Sequence, residues 1–133
     1  AHTLDASHLD LARKMIEQKT PEYLASFDKV MRQRSGYMFN MFIMKKELAD
    51  SYFTWLFSIL DNMYACMDLS GLTPFEARLF GRVSELLFNV WLTQHSLIPK
   101  EVPFMYMEKV DLLKKINSFL MAKFLGKKYG KSF

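Results

Sequence analysis

Apolar positions along this chain recur mainly at helical spacing, and they divide it into five helical stretches and two short extended ones. Ser7 to about Gln18 carries Leu9, Leu11, Ala12, Met15 and Ile16 at mixed helical offsets. Thr20-Pro21-Glu22 reads as a helix start: a capping hydroxyl, proline in the first turn, then an acid beside the helix dipole. That helix should run to about Arg32, where Ser35-Gly36 stops it. Tyr37 to Met44 follows, an aromatic and apolar run with Asn40 as its polar interruption. It is too short for a helix between those boundaries and predicts a strand buried on both faces. Glu47 to Met67 gives the clearest helix, with Leu48, Tyr52, Trp55, Leu56, Ile59, Leu60, Met63 and Met67 along one broad stripe. Thr73-Pro74-Phe75-Glu76 has the form of a capping box and opens a helix to about His95. Glu101 to Met107 is a second candidate strand, which Pro103 restricts to an edge. Glu108 to about Leu125 closes the chain as an amphipathic helix. The pattern therefore predicts a mainly α fold with one or two short strands, and a core built on Trp55, Leu56, Leu60, Phe80, Leu87 and Trp91.

Length bounds the organisation: 133 residues make a single domain or a fragment of one. The start at Ala1-His2-Thr3, without an initiator Met or an apolar signal segment, reads like a cut end. At 50% hydrophobic and 24% charged residues, the composition is that of a packed core rather than a disordered tail. Cys66 is the one cysteine, so no internal disulfide forms, and a buried structural thiol is the expectation. Charge changes the picture more. Of the net +4, residues 109–133 alone hold seven Lys and one Asp, leaving residues 1–108 slightly acidic. A basic C-terminal segment favours an anionic membrane surface or merely solvates a helix end. Nucleic acid is not expected as a partner, because the cations of the main body are not interleaved with exposed aromatics.

Catalytic signatures are mostly missing. The chain has no glycine-rich dinucleotide loop, no P-loop and no C-x-x-C, and His2, His8 and His95 lack the spacing of a zinc site. No metal ligands are expected within it. One polar constellation remains: Arg78, Arg82, Glu85 and Asn89 recur at i, i+4, i+7 and i+11, within about 60° on a helix. Such a face serves either as a solvated surface with one Arg82–Glu85 pair, or as a site where guanidinium groups meet an anion such as a diphosphate.

Two stretches carry a resemblance. Asn40-Met41-Phe42-Ile43-Met44 followed by Tyr52-Phe53-Thr54-Trp55-Leu56-Phe57, and Arg78-Leu79-Phe80-Gly81-Arg82-Val83-Ser84-Glu85-Leu86, resemble the C-terminal half of a bacterial family long filed under a domain of unknown function. Its members sit among capsular-polysaccharide and lipopolysaccharide genes and are regarded as glycosyltransferases. The family pattern pairs an N-M-F-I-M strand with a Y-x-x-W-L-F helix and an R-x-x-G-x-x-S-E-R-L helix. Asn40, Tyr52, Trp55, Arg78, Gly81, Ser84 and Glu85 match it in order, whereas Leu86 stands where the family has an arginine.

The resemblance implies that this chain is the C-terminal, acceptor-side part of a GT-A-like α/β glycosyltransferase. The whole protein would transfer a sugar from a nucleotide-sugar donor to a lipid-linked or oligosaccharide acceptor of a bacterial surface polysaccharide. Its setting would be the cytoplasm, peripheral on the inner membrane. The half that supplies paired acids and a divalent Mn or Mg ion would be missing, since no Asp-x-Asp occurs here, so the fragment alone would be inactive. Glu85 and Arg78 would be catalytic, with Asn40, Arg82 and Asn89 binding substrate. The alternative is a non-catalytic helical module that binds a protein partner or an anionic membrane surface. The transferase should gather Asn40, Arg78 and Glu85 around one cleft, whereas the module should expose a large apolar patch.

Overall fold

The computed structural model describes residues 5–38, 41–70 and 76–103, the side chain of Glu76 excepted. The chain separates into two compact units, Ala1–Ile98 and Pro99–Phe133. In the second unit only 99–103 are described, and they form neither helix nor strand. The final helix expected from Glu108, the basic segment 109–133 and most of the strand expected at Glu101–Met107 lie outside the described residues.

The first unit is helical. It runs α1 (Ala6–Lys19), a 3-10 turn (Pro21–Tyr23) leading into α2 (Leu24–Met31), a connecting stretch, α3 (Lys46–Cys66), a second 3-10 turn (Glu76–Arg78) and α4 (Leu79–Gln94). α1 packs on α3, α2 on α4, and α3 on α4. Asp5 caps α1, its carboxylate accepting from the Ser7 N–H at 2.9 Å. Thr20 does not cap the next helix as its position before Pro21 suggests. Its hydroxyl instead accepts the indole N–H of Trp55 at 3.1 Å, which ties the α1–α2 junction to α3. Arg13 and Asp28 form a two-point pair at 2.9 and 3.1 Å that links α1 to α2. That contact holds the Asp28 carboxyl below the usual carboxylate range, so it adds stability above that range and loses it as pH falls.

The core joins Ala12, Met15 and Ile16 of α1, Phe27 and Val30 of α2, Tyr52 to Met63 of α3 and Val83 to Leu92 of α4. Tyr23 stacks on Trp55 with ring centres 4.6 Å apart and shares a 3.0 Å hydrogen bond with His95. Of the six expected core residues, Trp55, Leu56, Leu87 and Trp91 are buried, while Leu60 and Phe80 are only partly so. Cys66 is exposed rather than buried, because it sits in the last turn of α3, beyond the core.

The buried strand expected at Tyr37–Met44 is not formed. There is no strand among the described residues, and the described part of this run is neither helix nor strand. Phe42 and Met44 pack against the core, whereas Met41 and Ile43 face outward. The run has the side chains of a strand, but the described residues of the first unit hold no second strand to pair with it.

α4 ends in a Schellman motif. Leu97 N–H bonds Leu92 C=O at 2.9 Å, Ser96 N–H bonds Thr93 C=O at 3.2 Å, and Ser96 adopts φ 53°. A side chain in this left-handed conformation costs roughly 1–2 kcal/mol that glycine escapes. Ser96→Gly should therefore raise the denaturation midpoint by an amount worth about 1 kcal/mol. A lower midpoint would mean the serine contributes something beyond its backbone.

Candidate functional site

The Arg/Glu face lies where the second 3-10 turn becomes α4. Arg78 ends the turn as an exposed residue, and Arg82 and Glu85 follow as half-buried ones. Spacing of three and four residues brings all three along one side of the helix start. Burial pushes the Glu85 carboxyl above its ordinary range, while the positive charges of Arg78 and Arg82 pull the other way and only partly offset it. Neither arginine closes to ion-pair distance with Glu85; the ion pairs among the described residues are Arg13–Asp28 and Lys46–Asp50. A solvated Arg82–Glu85 pair is thus not what the structure contains. It presents a partly desolvated carboxylate with guanidinium groups nearby, an arrangement suited to taking a proton beside a bound anion.

Asn89 departs from this face. It is buried, and its amide is fully used: Oδ1 accepts from Tyr37 N–H at 2.8 Å, and Nδ2 donates to Tyr37 C=O and to Glu85 C=O, each at 2.8 Å. Its side chain acts as a short piece of β-ladder that docks the extended stretch onto α4. It has no amide hydrogen left for a substrate hydroxyl. Asn40 lies outside the described residues, three positions along from this anchor.

Gly36 explains why the anchor fits. A Cβ there would stand 2.9 Å from Asn89 Oδ1, closer than real contacts allow, and Asn89 cannot retreat without breaking its hydrogen bonds. Gly36→Ala should cost about 1–3 kcal/mol through overpacking. Chemical denaturation measures it, and an unchanged midpoint would argue against the anchor.

Beside the Arg/Glu face, α3 and α4 leave an open cleft of about 290 Å³. Phe42, Phe53, Phe57, Leu60 and Phe80 line it, together with Tyr52, Gly81 and Ser84. Gly81 has open space where a Cβ would be, and Ser84 Oγ donates to Gly81 C=O at 2.7 Å. Tyr52 is buried with an unpartnered hydroxyl, and burial keeps that hydroxyl protonated. Arg78, Arg82 and Glu85 are not among the lining residues, so the charged face and the apolar cleft are neighbouring features rather than one pocket. No group of three or more His, Cys, Asp or Glu among the described residues is placed to hold a metal ion, and these residues do not fit a divalent site. No helix among them is long and apolar enough to cross a membrane.

Residues 1–96 match the family model described as a domain of unknown function, DUF4422. The chain belongs to the DUF4422 family. The DUF4422 match takes in the four α-helices of the described residues, the Asn89 anchor, the cleft and the Arg/Glu face, and it ends within the first compact unit. No curated protein and no solved structure matches this chain. Of the positions that carry the sequence resemblance, Tyr52 and Trp55 are core, Gly81 and Ser84 line the cleft, Arg78 is exposed and Glu85 half-buried.

Proposed function

We propose that this DUF4422 chain is the acceptor-side part of a GT-A-like glycosyltransferase. The enzyme would move a sugar from a nucleotide-sugar donor to a lipid-linked or oligosaccharide acceptor of a bacterial surface polysaccharide. The observation that carries this reading is Glu85, a carboxylate with raised proton affinity and no ion-pair partner among the described residues, in sequence with Arg78 and Arg82 on one side of the helix start. Glu85 takes the acceptor hydroxyl proton as the new glycosidic bond forms. Arg78 stabilises the negative charge that gathers on the departing diphosphate, with Arg82 beside it. Asn40, just beyond the Tyr37 anchor, holds a sugar hydroxyl. Any divalent metal ion belongs to a part of the protein that these residues do not supply, and it would neutralise the diphosphate there. The setting is the bacterial cytoplasm, at the inner membrane where lipid-linked acceptors reside, with the basic segment 109–133 drawn to the anionic surface.

The test is titration of the protein containing this domain with a nucleoside diphosphate, alone and as Arg78→Ala. Arg78 is exposed, so its loss should leave the melting temperature unchanged while weakening the diphosphate by about 10- to 100-fold. Equal affinity for both proteins would remove Arg78 from the donor site. A second reading, a non-catalytic helical module, is favoured by the apolar cleft and by the exposed Phe53, Phe57 and Tyr64 along α3. It predicts no diphosphate binding by either protein.

A further inference from the structure

The apolar cleft between α3 and α4 has the size and the lining of a small-ligand site. At about 290 Å³ it stands at the lower end of small-molecule pockets, and it is too small to seat a helix, which is about 10–12 Å across. The phenyl rings of Phe42, Phe53, Phe57 and Phe80 line it and offer stacking faces to a flat ring. Tyr52 lines it too. That residue is 1% exposed, and no described group bonds its hydroxyl. A buried hydroxyl without a partner carries a desolvation penalty, and an alkyl chain in the cleft would leave that penalty standing. A heteroaromatic ring with a carbonyl or ring-nitrogen acceptor removes it.

Charge supplies the rest of the ligand. On α4, with Phe80 taken as the origin, Ser84 lies at about 40° and Gly81 at about 100°, whereas Glu85 and Arg82 lie at about 140° and 200°. Gly81 is therefore the boundary between the cleft and the charged side. A Cβ there would have no atom within 4 Å, so the crossing from one to the other is open. Arg78 ends the turn three residues before Gly81 and is exposed. Two guanidinium groups against the one Glu85 carboxylate leave that side of the helix start cationic, which selects a ligand whose ring is joined to an anion.

We propose that the cleft seats the base of a nucleotide, stacked among the phenyl rings with an acceptor atom on the Tyr52 hydroxyl, while the sugar crosses Gly81 and the phosphates reach Arg78. This rests on the reading of Arg78 as a diphosphate contact, and it adds where the remainder of that molecule lies. Calorimetric titration of the protein containing this domain compares uridine and adenosine diphosphates with inorganic pyrophosphate and dodecyl phosphate. The better of the two nucleotides should bind about 10- to 100-fold more tightly than pyrophosphate, through stacking and one hydrogen bond. Tyr52→Phe deletes a hydroxyl that bonds no described group, so the melting temperature should hold or rise. The nucleotide should weaken roughly three- to ten-fold in that variant, with pyrophosphate unchanged. Gly81→Leu exchanges a poor helix former for a good one and fills the crossing. It should melt no lower than wild type and bind nucleotide and pyrophosphate equally. Equal affinity of the wild type for nucleotides and pyrophosphate, each weakened by Arg78→Ala, overturns the base site and leaves the diphosphate contact standing. No binding of either removes both. Dodecyl phosphate binding more tightly than the nucleotides, or Tyr52→Phe leaving nucleotide affinity unchanged, gives the cleft to an apolar chain. Self-association that Gly81→Leu abolishes gives it to a second copy. Either result overturns the proposal.

Discussion

Replacing Trp91 by alanine should cost about 3–5 kcal/mol, a large part of the stability that a domain of this size has to lose. Trp91 is 1% exposed on α4, edge-on to the Tyr52 ring at 5.4 Å between centres and against His95 at 4.5 Å. Removing the indole leaves a cavity between α3 and α4 that those helices cannot close, because Tyr52 is itself held edge-on against the stacked rings of Phe42 and Phe88. The milder change separates volume from hydrogen bonding. Trp91 Nε1 has no partner, so Trp91→Phe gives up volume but no hydrogen bond and should cost under about 1.5 kcal/mol. Trp55→Phe should cost roughly 1 kcal/mol more than that, since the Trp55 indole donates to Thr20 and the hydroxyl would lose its donor. Denaturant titration at fixed slope measures all three. A Trp91→Ala loss below about 1 kcal/mol would mean that α4 does not pack as described.

The helices were legible because their evidence is local. The stripe from Tyr52 to Met63 repeats at the helix period and recurs as the buried face of α3, with ends within a residue or two of those expected. Periodicity puts Leu60 and Phe80 on the apolar side of their helices but does not report whether a neighbour covers them; among the described residues they are covered only in part, and they line the cleft. The strand at Tyr37–Met44 shows the same gap. Its residues carry the preference for extended backbone, but a strand also needs a partner, and a run of side chains says nothing about where one is.

The burial of Asn89 turns on a different signal. Its spacing from Arg78 put it on the polar face, yet residues 87–92 are buried without interruption, so the later part of α4 has no polar face. The signal was present in Leu87-Phe88-Asn89-Val90-Trp91-Leu92. An asparagine inside a helix that is apolar all round must be buried, and a buried amide must find partners. Gly36 was read only as a helix stop, although a glycine with space for no side chain also marks where backbone approaches closely. What no local pattern could supply is the raised proton affinity of Glu85, which depends on how much of the assembled fold covers it.

Glu85→Gln in the protein containing this domain should lower kcat by about 10²–10⁴-fold while leaving the fold intact. The substitution keeps the shape and removes the charge. Among the described residues the carboxylate has no ion pair to lose, and its backbone C=O, which Asn89 uses, is untouched. Stability should even move the other way. Burial raises the folded-state pKa of Glu85, so the native state favours the protonated form, and stability falls as pH rises from the ordinary glutamate range through the raised value. Above that window the wild type carries an ionised carboxylate that opposes folding, whereas glutamine does not. At neutral pH the variant should therefore melt at the same temperature or slightly higher. The same shift appears in the rate: a base must be deprotonated, so wild-type activity should climb with pH through a value above the usual range for a glutamate, and the variant's residual activity should lack that limb. Turnover within a few-fold of wild type would show that Glu85 is not the base. Activity and melting temperature falling together would make Glu85 a structural residue at the start of α4. Only lost turnover with retained or improved stability assigns it the proton.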